Sequence, residues 1–241
     1  MKIEGRNAVR EAINSGTTFS KIMLSNSSHD KVFNEIVTLL KSKNIKFQWV
    51  SNEILNKESV TKMHQGIIAV ADDYKYCEVN DILDYANSKN EAPFLLILDG
   101  IEDPHNFGSI IRVCECMGIH GIIFGKNRAC AVTETVIRTS AGASSHVKIA
   151  RVTNINTEIE RLKKQNIWVY ACELGGSDLR KSDLTGSIAI VIGSEGFGIS
   201  ALTKKLCDGI VTIPMAGKVN SLNASVATGM VLYEAFTQRN K

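Results

Sequence analysis

Aromatic residues make up only 6% of this 241-residue chain. Base stacking on a Phe/Tyr platform is therefore not the recognition mode that composition points to. No apolar run approaches the roughly 18 residues needed to cross a bilayer, which excludes a transmembrane helix. The start, MKIEGRNAVREAINSG, mixes charges of both signs with no apolar stretch, and this argues against a secretory signal. Six cysteines (Cys77, Cys114, Cys116, Cys130, Cys172 and Cys207) include no C-x-x-C pair and no closely spaced Cys/His ligand set. They read as reduced, buried thiols of a cytoplasmic protein without a metal site.

What is present describes a soluble globular chain: 44% hydrophobic and 22% charged residues supply a real core. The length suits one large domain, or one of ordinary size plus a small one. The net charge is only +3, but residues 1–75 hold eleven Lys/Arg against eight Asp/Glu, while 76–241 hold seventeen of each. A basic module beside a neutral one suits an RNA-gripping appendage, although three charges alone are within ordinary surface scatter.

Hydrophobic periodicity divides the chain into three. Residues 1–75 read as a small α/β unit, with a helix over Asn7–Ile13 ending before Gly16 and an amphipathic helix over Asp30–Leu40. Its strands are expected at Lys21–Leu24, Lys46–Val50 and Gly66–Ala71. The polar stretch 76–92 reads as a linker with a short helix near Ile82–Tyr85. Residues 93–241 alternate strand and helix patterns, and Phe94–Leu98 and Ile188–Ile192 are continuous apolar runs. Strands of that kind are buried on both faces, so a mostly parallel sheet covered by helices is expected.

Ligands of such sheets bind at the carboxyl ends of the strands, and three strand ends here carry polar, glycine-rich loops. The first, DGIEDPHNFGSIIRVCECMG at 99–118, offers Asn106 as a helix N-cap and Gly108 as a point of close approach. Arg112 follows one turn later and reads equally well as a phosphate ligand or a structural ion-pair partner. His105 reads as a solvated turn residue. The second, IAIVIGSEGFGIS at 188–200, surrounds Ser194 and Glu195 with Gly193, Gly196 and Gly198. Its G-x-x-G-x-G order reverses the dinucleotide fingerprint and disfavours a nicotinamide site. The third, IPMAGKVNSLNASVATG at 213–229, crowds Asn220, Ser221 and Asn223 at the start of a long helix. Three such side chains exceed what one cap needs. The helix then runs through Ala224, Ser225, Ala227 and Gly229, small enough for close packing or a subunit contact.

Taken in order, N-x-G-x-x-x-R, G-[SA]-E-G and P-M-x-G…S-L-N-x-S resemble the SpoU-type (TrmH-like) RNA ribose methyltransferases of the SPOUT superfamily. GRNAVREAI and His64-Gln65-Gly66-Ile67 resemble the N-terminal extension of the RlmB-like subgroup, which modifies a guanosine of large-subunit ribosomal RNA. The resemblance implies an L30e-like N-terminal RNA-binding domain and a C-terminal parallel α/β domain ending in a trefoil knot. Knots are otherwise so rare that pattern alone would not suggest one. It also implies a homodimer with active sites at the interface. S-adenosylmethionine would be held by Gly193, Ile213 and Leu222, with Met215 nearby, and no metal is needed. Asn106, Arg112, Glu195, Ser221 and Asn223 would form the catalytic set. The implied reaction is 2′-O-methylation of a guanosine ribose in 23S ribosomal RNA. A transfer-RNA guanosine methyltransferase and a non-catalytic RNA-binding protein are the alternatives.

Overall fold

The computed structural model describes residues 2–14, 17, 19–28, 30–71, 74–218 and 221–240, so the expected roles of Gly16 and Asn220 lie outside the described residues. The chain divides into two compact units, Met1–Tyr74 and Lys75–Lys241.

In the first unit, β1 (Lys2–Glu4), α1 (Arg6–Asn14), β2 (Phe19–Ser25), α2 (Lys31–Ser42), β3 (Gln48–Val50), α3 (Asn52–Glu58) and β4 (Ile67–Ala71) follow one another. The sheet order is β1-β4-β2-β3, with β3 parallel to β2 and the other pairs antiparallel. The helix spacing puts Val9, Ala12 and Ile13 of α1 and Phe33, Ile36, Val37 and Leu40 of α2 against Ile22, Leu24, Ile67 and Ala69. Met23 and Ile68 alternate to the other face and meet Leu55 of α3. Neither β1 nor α3 was expected from sequence; each is short and carries little periodicity.

Hydrogen bonds rather than apolar contacts brace the loop after α3. Glu4 accepts from Ser59 Oγ (2.7 Å), the Val60 amide (2.6 Å), the Thr61 amide (3.1 Å) and the Thr61 hydroxyl. Burial opposes ionisation of this carboxyl, but the Thr61, Val60 and Ser59 donors outweigh it and hold Glu4 at about 2.

The second unit contains α4 (Val79–Ser88), β5 (Phe94–Asp99), α5 (Pro104–Cys116), β6 (Gly121–Gly125), α6 (Glu134–Thr139) and β7 (Lys148–Val152). After these come α7 (Ile155–Lys163), β8 (Trp168–Asp178), β9 (Ile188–Gly193), α8 (Ala201–Leu206), β10 (Gly209–Thr212) and α9 (Ala224–Arg239). All six strands are parallel, in the order β10-β8-β9-β5-β6-β7. On one face Leu95, Ile97, Ile123, Val169 and Val191 pack with α4 and with Ile159 and Leu162 of α7. The intervening residues, Leu96, Leu98, Ile122 and Phe124, are equally buried and turn to the other face, where α5 packs against α6 and α9.

The stretch 76–92 is not a linker. Val79, Ile82, Leu83 and Ala86 form one stripe at i, i+3, i+4 and i+7, and Val79, Ile82 and Leu83 join the core of the second unit. A capping box between Glu78 and Asp81 starts the helix. The polar residues that suggested a linker occupy its outer face.

At the far end of the chain, Arg239 donates to the carbonyl oxygens of Thr185 (3.1 Å), Gly186 (2.5 Å) and Ala92 (2.5 Å) and lies over the Phe94 ring. It thereby ties the end of α9 to the entrances of β5 and β9. Arg239→Ala should lower the stability of the second unit by about 2–3 kcal/mol, read by urea unfolding. An unchanged midpoint would show that these bonds merely replace water. Glu4, whose folded value lies below its ordinary one, contributes stability that is present above about pH 4.5 and lost as pH falls toward 2. Glu4→Gln should remove that acid dependence, followed through Trp49 fluorescence in a Trp168→Phe background.

Candidate active site

The site is built where β5, β9 and β10 end. Asp99 closes β5, and its Oδ2 accepts from the Ser200 amide (2.9 Å), which ties the loop after β9 to the neighbouring strand. That loop folds back on itself: the Ser194 and Gly198 amides and carbonyls exchange hydrogen bonds at 3.1 and 2.9 Å. A Cβ on Gly193 would collide with the backbone of Gly198, and Gly198 itself has φ +65°. The closure of the loop is what demands glycine at these two positions.

The helix after β5 is capped by Asp103, not by Asn106. Asp103 Oδ1 accepts from the amides of His105 (2.6 Å) and Asn106 (3.1 Å), and Pro104 occupies the first turn. The Asn106 side chain is thereby released. Its Nδ2 donates to Glu195 Oε1 (2.9 Å), and its Oδ1 accepts from Asn223 Nδ2 (2.9 Å). Asn223 Nδ2 also donates to Glu195 Oε1, which accepts from the Ala224 amide as well (3.3 Å). Meanwhile Asn223 Oδ1 caps α9 through the Ser225 and Val226 amides. Three of the five expected catalytic side chains thus form one closed network.

Beside this network lies a cleft of about 460 Å³. Gly193, Ile213, Met215 and Leu222 all line it, together with Glu195 and Ser221. Its walls are apolar at Ile192, Ile199 and Ile213, and it carries two carboxylates, Glu173 and Glu195. A volume of this size suits a nucleoside-sized ligand. Lys204 pairs with Glu173 at 2.6 Å, so Glu195 is the carboxylate that leaves the cleft negative and favours a cationic ligand. Burial pushes the Cys172 thiol on the cleft wall up to about 11, so it stays protonated and does not act as a nucleophile at neutral pH.

Arg112 is not brought to this cluster within the chain. Six residues beyond Asn106 on α5, it lies about 120° round the helix and about 9 Å further along. It is exposed, makes no hydrogen bond or ion pair among the described residues, and lies in a shallow groove with Val113, Val226, Met230 and Tyr233. Gly108 is turned inward instead, where a Cβ would come within 2.6 Å of Thr139 Cβ and 2.8 Å of the Val136 carbonyl oxygen. Its bareness serves the packing of α5 on α6.

Two residues of the cleft escaped the sequence reading. Glu173 is the first residue beyond the apolar run of β8, so the strand-end rule was available to find it. Phe197 is 99% exposed on the cleft rim, an aromatic surface that low aromatic content did not suggest. Among the described residues no group of three or more His, Cys, Asp or Glu is arranged to hold a metal.

Comparison with known proteins gives a consistent picture. The SpoU rRNA Methylase family model matches residues 93–233, and the model described as RNA 2′-O ribose methyltransferase substrate binding matches residues 2–77. The chain is 42% identical over 237 residues to YacO of Bacillus subtilis (strain 168), named as a TrmH family tRNA/rRNA methyltransferase, with 98% of this chain and 95% of the relative covered. A TrmH family relative in Staphylococcus saprophyticus is 42% identical over 239 residues, covering 99% and 96%. Among solved structures, the SpoU methyltransferase AviRb from Streptomyces viridochromogenes superposes with a TM-score of 0.70 at 25% identity, covering 100% of this chain and 90% of that one. The same protein in complex with the cofactor AdoMet gives 0.69 at 24% identity, with the same coverage.

Asn223 both caps α9 and closes the network, whereas Asn106 only closes it. Asn223→Ala should therefore cost about 1 kcal/mol of unfolding free energy and Asn106→Ala clearly less. Equal losses would mean that the cap contributes nothing.

Proposed function

The chain belongs to the SpoU rRNA methylase family of RNA methyltransferases, and from that membership we propose that it methylates the 2′-hydroxyl of a guanosine ribose in 23S ribosomal RNA. The observation that carries this reading is the cleft lined by Gly193, Ile213, Met215 and Leu222 beside the Asn106–Glu195–Asn223 network. The match of residues 2–77 to a ribose methyltransferase substrate-binding module supports the choice of the ribose oxygen. A transfer-RNA guanosine is the competing target, and the relatives' names carry tRNA and rRNA alike. We place the enzyme in the cytoplasm, beside these RNAs; among the described residues no helix is long and apolar enough to cross a membrane.

S-adenosylmethionine is the methyl donor of this reading, and when bound it supplies a methyl group made electrophilic by a sulfonium. Gly193, Ile213 and Leu222 hold it, largely through main-chain groups, with Met215 alongside. Asn106, Asn223 and Ser221 position the ribose, and Glu195 fixes the two amides in a single orientation. Arg112 binds the adjacent phosphate and stabilises charge developing on the 2′-oxygen. A guanidinium stays protonated and is a poor base, so the proton leaves late or is relayed to water.

Arg112 is placed for this role by a second copy of the chain. Val226, Met230 and Tyr233 share one exposed stripe of α9 with Arg112 beside them, and pairing two such faces forms a homodimer with Arg112 at the seam. Met230→Asp should shift the protein to monomer in sedimentation velocity and abolish RNA methylation. A monomeric variant with full activity would remove the interface from the mechanism.

Tritium from labelled S-adenosylmethionine should enter ribosomal RNA, and one 2′-O-methyl guanosine should vanish from 23S RNA in a deletion strain. Loss of a transfer-RNA mark instead would select the competing target, and no incorporation would sink the enzymatic reading. Arg112→Lys should lower turnover by about 10²-fold, because a point charge does not replace the planar fork. Near-normal turnover in that variant would refute the phosphate role.

A further inference from the structure

Glu173 is held in place from several sides. Its carbonyl accepts from Thr212 Oγ1 (2.6 Å), and that hydroxyl in turn accepts from the Gly176 amide (2.8 Å), which fixes the backbone of β8 against β10. Its Oε1 receives Lys204 Nζ at 2.6 Å. Its other oxygen, Oε2, is buried and has no hydrogen-bond partner among the described residues. The residue lines the cleft with Gly193, Gly198 and Ile199. A buried carboxylate oxygen is rarely left without a donor.

We propose that Glu173 Oε2 accepts a hydrogen bond from a ribose hydroxyl of bound S-adenosylmethionine, which makes Glu173 a cofactor-binding residue. The inference rests on the placing of that cofactor in this cleft. Three groups of the cofactor are donors: the α-ammonium, the adenine amine and the ribose hydroxyls. Lys204 already neutralises the Glu173 charge, so the remaining oxygen suits a neutral donor better than a cation. The adenine edge presents a donor beside an acceptor, whereas Oε2 offers only an acceptor. A hydroxyl matches it with one proton and leaves its own oxygen free.

Isothermal titration without RNA tests this, using S-adenosylhomocysteine and its 2′-deoxy and 3′-deoxy analogues. The wild type should bind one deoxy analogue about tenfold or more weakly than the parent, the effect of losing a hydrogen bond to a charged acceptor. Glu173→Ala should bind the parent with a similar loss and no longer distinguish parent from analogue. Equal binding of all three ligands by the wild type overturns the proposal, whatever the variant's stability. Losses that simply add between substitution and deoxygenation overturn it as well, since the hydroxyl then has another partner. Because no RNA is present, these failures leave the ribose methylation reading intact.

Discussion

Glu195 Oε1 accepts hydrogen bonds from Asn106, Asn223 and the Ala224 amide, groups that lie 89, 28 and 29 residues away along the chain. The rest of the site is arranged around this atom. Asn106 lies in the first turn of α5, Asn223 caps α9, and Glu195 sits on the loop after β9, so a single oxygen joins the ends of three elements. Each amide also uses its second group: Asn223 Oδ1 caps α9, and Asn106 Oδ1 accepts from Asn223. Neither side chain is left free to rotate. In the proposed mechanism, donors pre-set in this way would lose little order when a ribose binds, which is how positioning lowers a barrier.

The parallel sheet brings these loops together. Strands β9 and β5 are neighbours although more than eighty residues separate them, so the loops that follow them share one rim. The Asp99–Ser200 bond and the closure of the Ser194–Gly198 loop stiffen that rim. The cleft then combines apolar walls with two carboxylates, and one of these is neutralised by Lys204. A flat, positively charged nucleoside fits such a place. Arg112, by contrast, lies in the groove beside the exposed stripe of α9 and not on the cleft, which is why the proposed mechanism draws on a second copy of the chain.

Much of this was legible in residues alone. The continuous apolar runs of β5 and β9 announced a parallel sheet, and the strand-end rule found the three loops. All four cofactor-lining residues inferred by resemblance fall on one cleft. Other features were not legible. The polar outer face of α4 hid its buried stripe, and 76–92 read as a linker. Asn106 read as a cap because Asp103, three residues earlier, is an equally good one; local preference does not choose between them. The choice is made by what lies across the loop, and Glu195 is there to receive Asn106.

The sequence by itself determined the alternation of buried strands and helices and the residue types at each strand end. These follow from periodicity and burial, which are local and additive along the chain. Only the tertiary structure decided which of those residues meet. Asn106 and Asn223 are 117 residues apart and share a hydrogen bond, while Asn106 and Arg112 share a helix and point to different places. Strand order and helix rotation set such pairings, and neither is a property of any short stretch. The loop remained the place to look, and its closed network of Asn106, Glu195 and Asn223 became visible only once the strands were side by side.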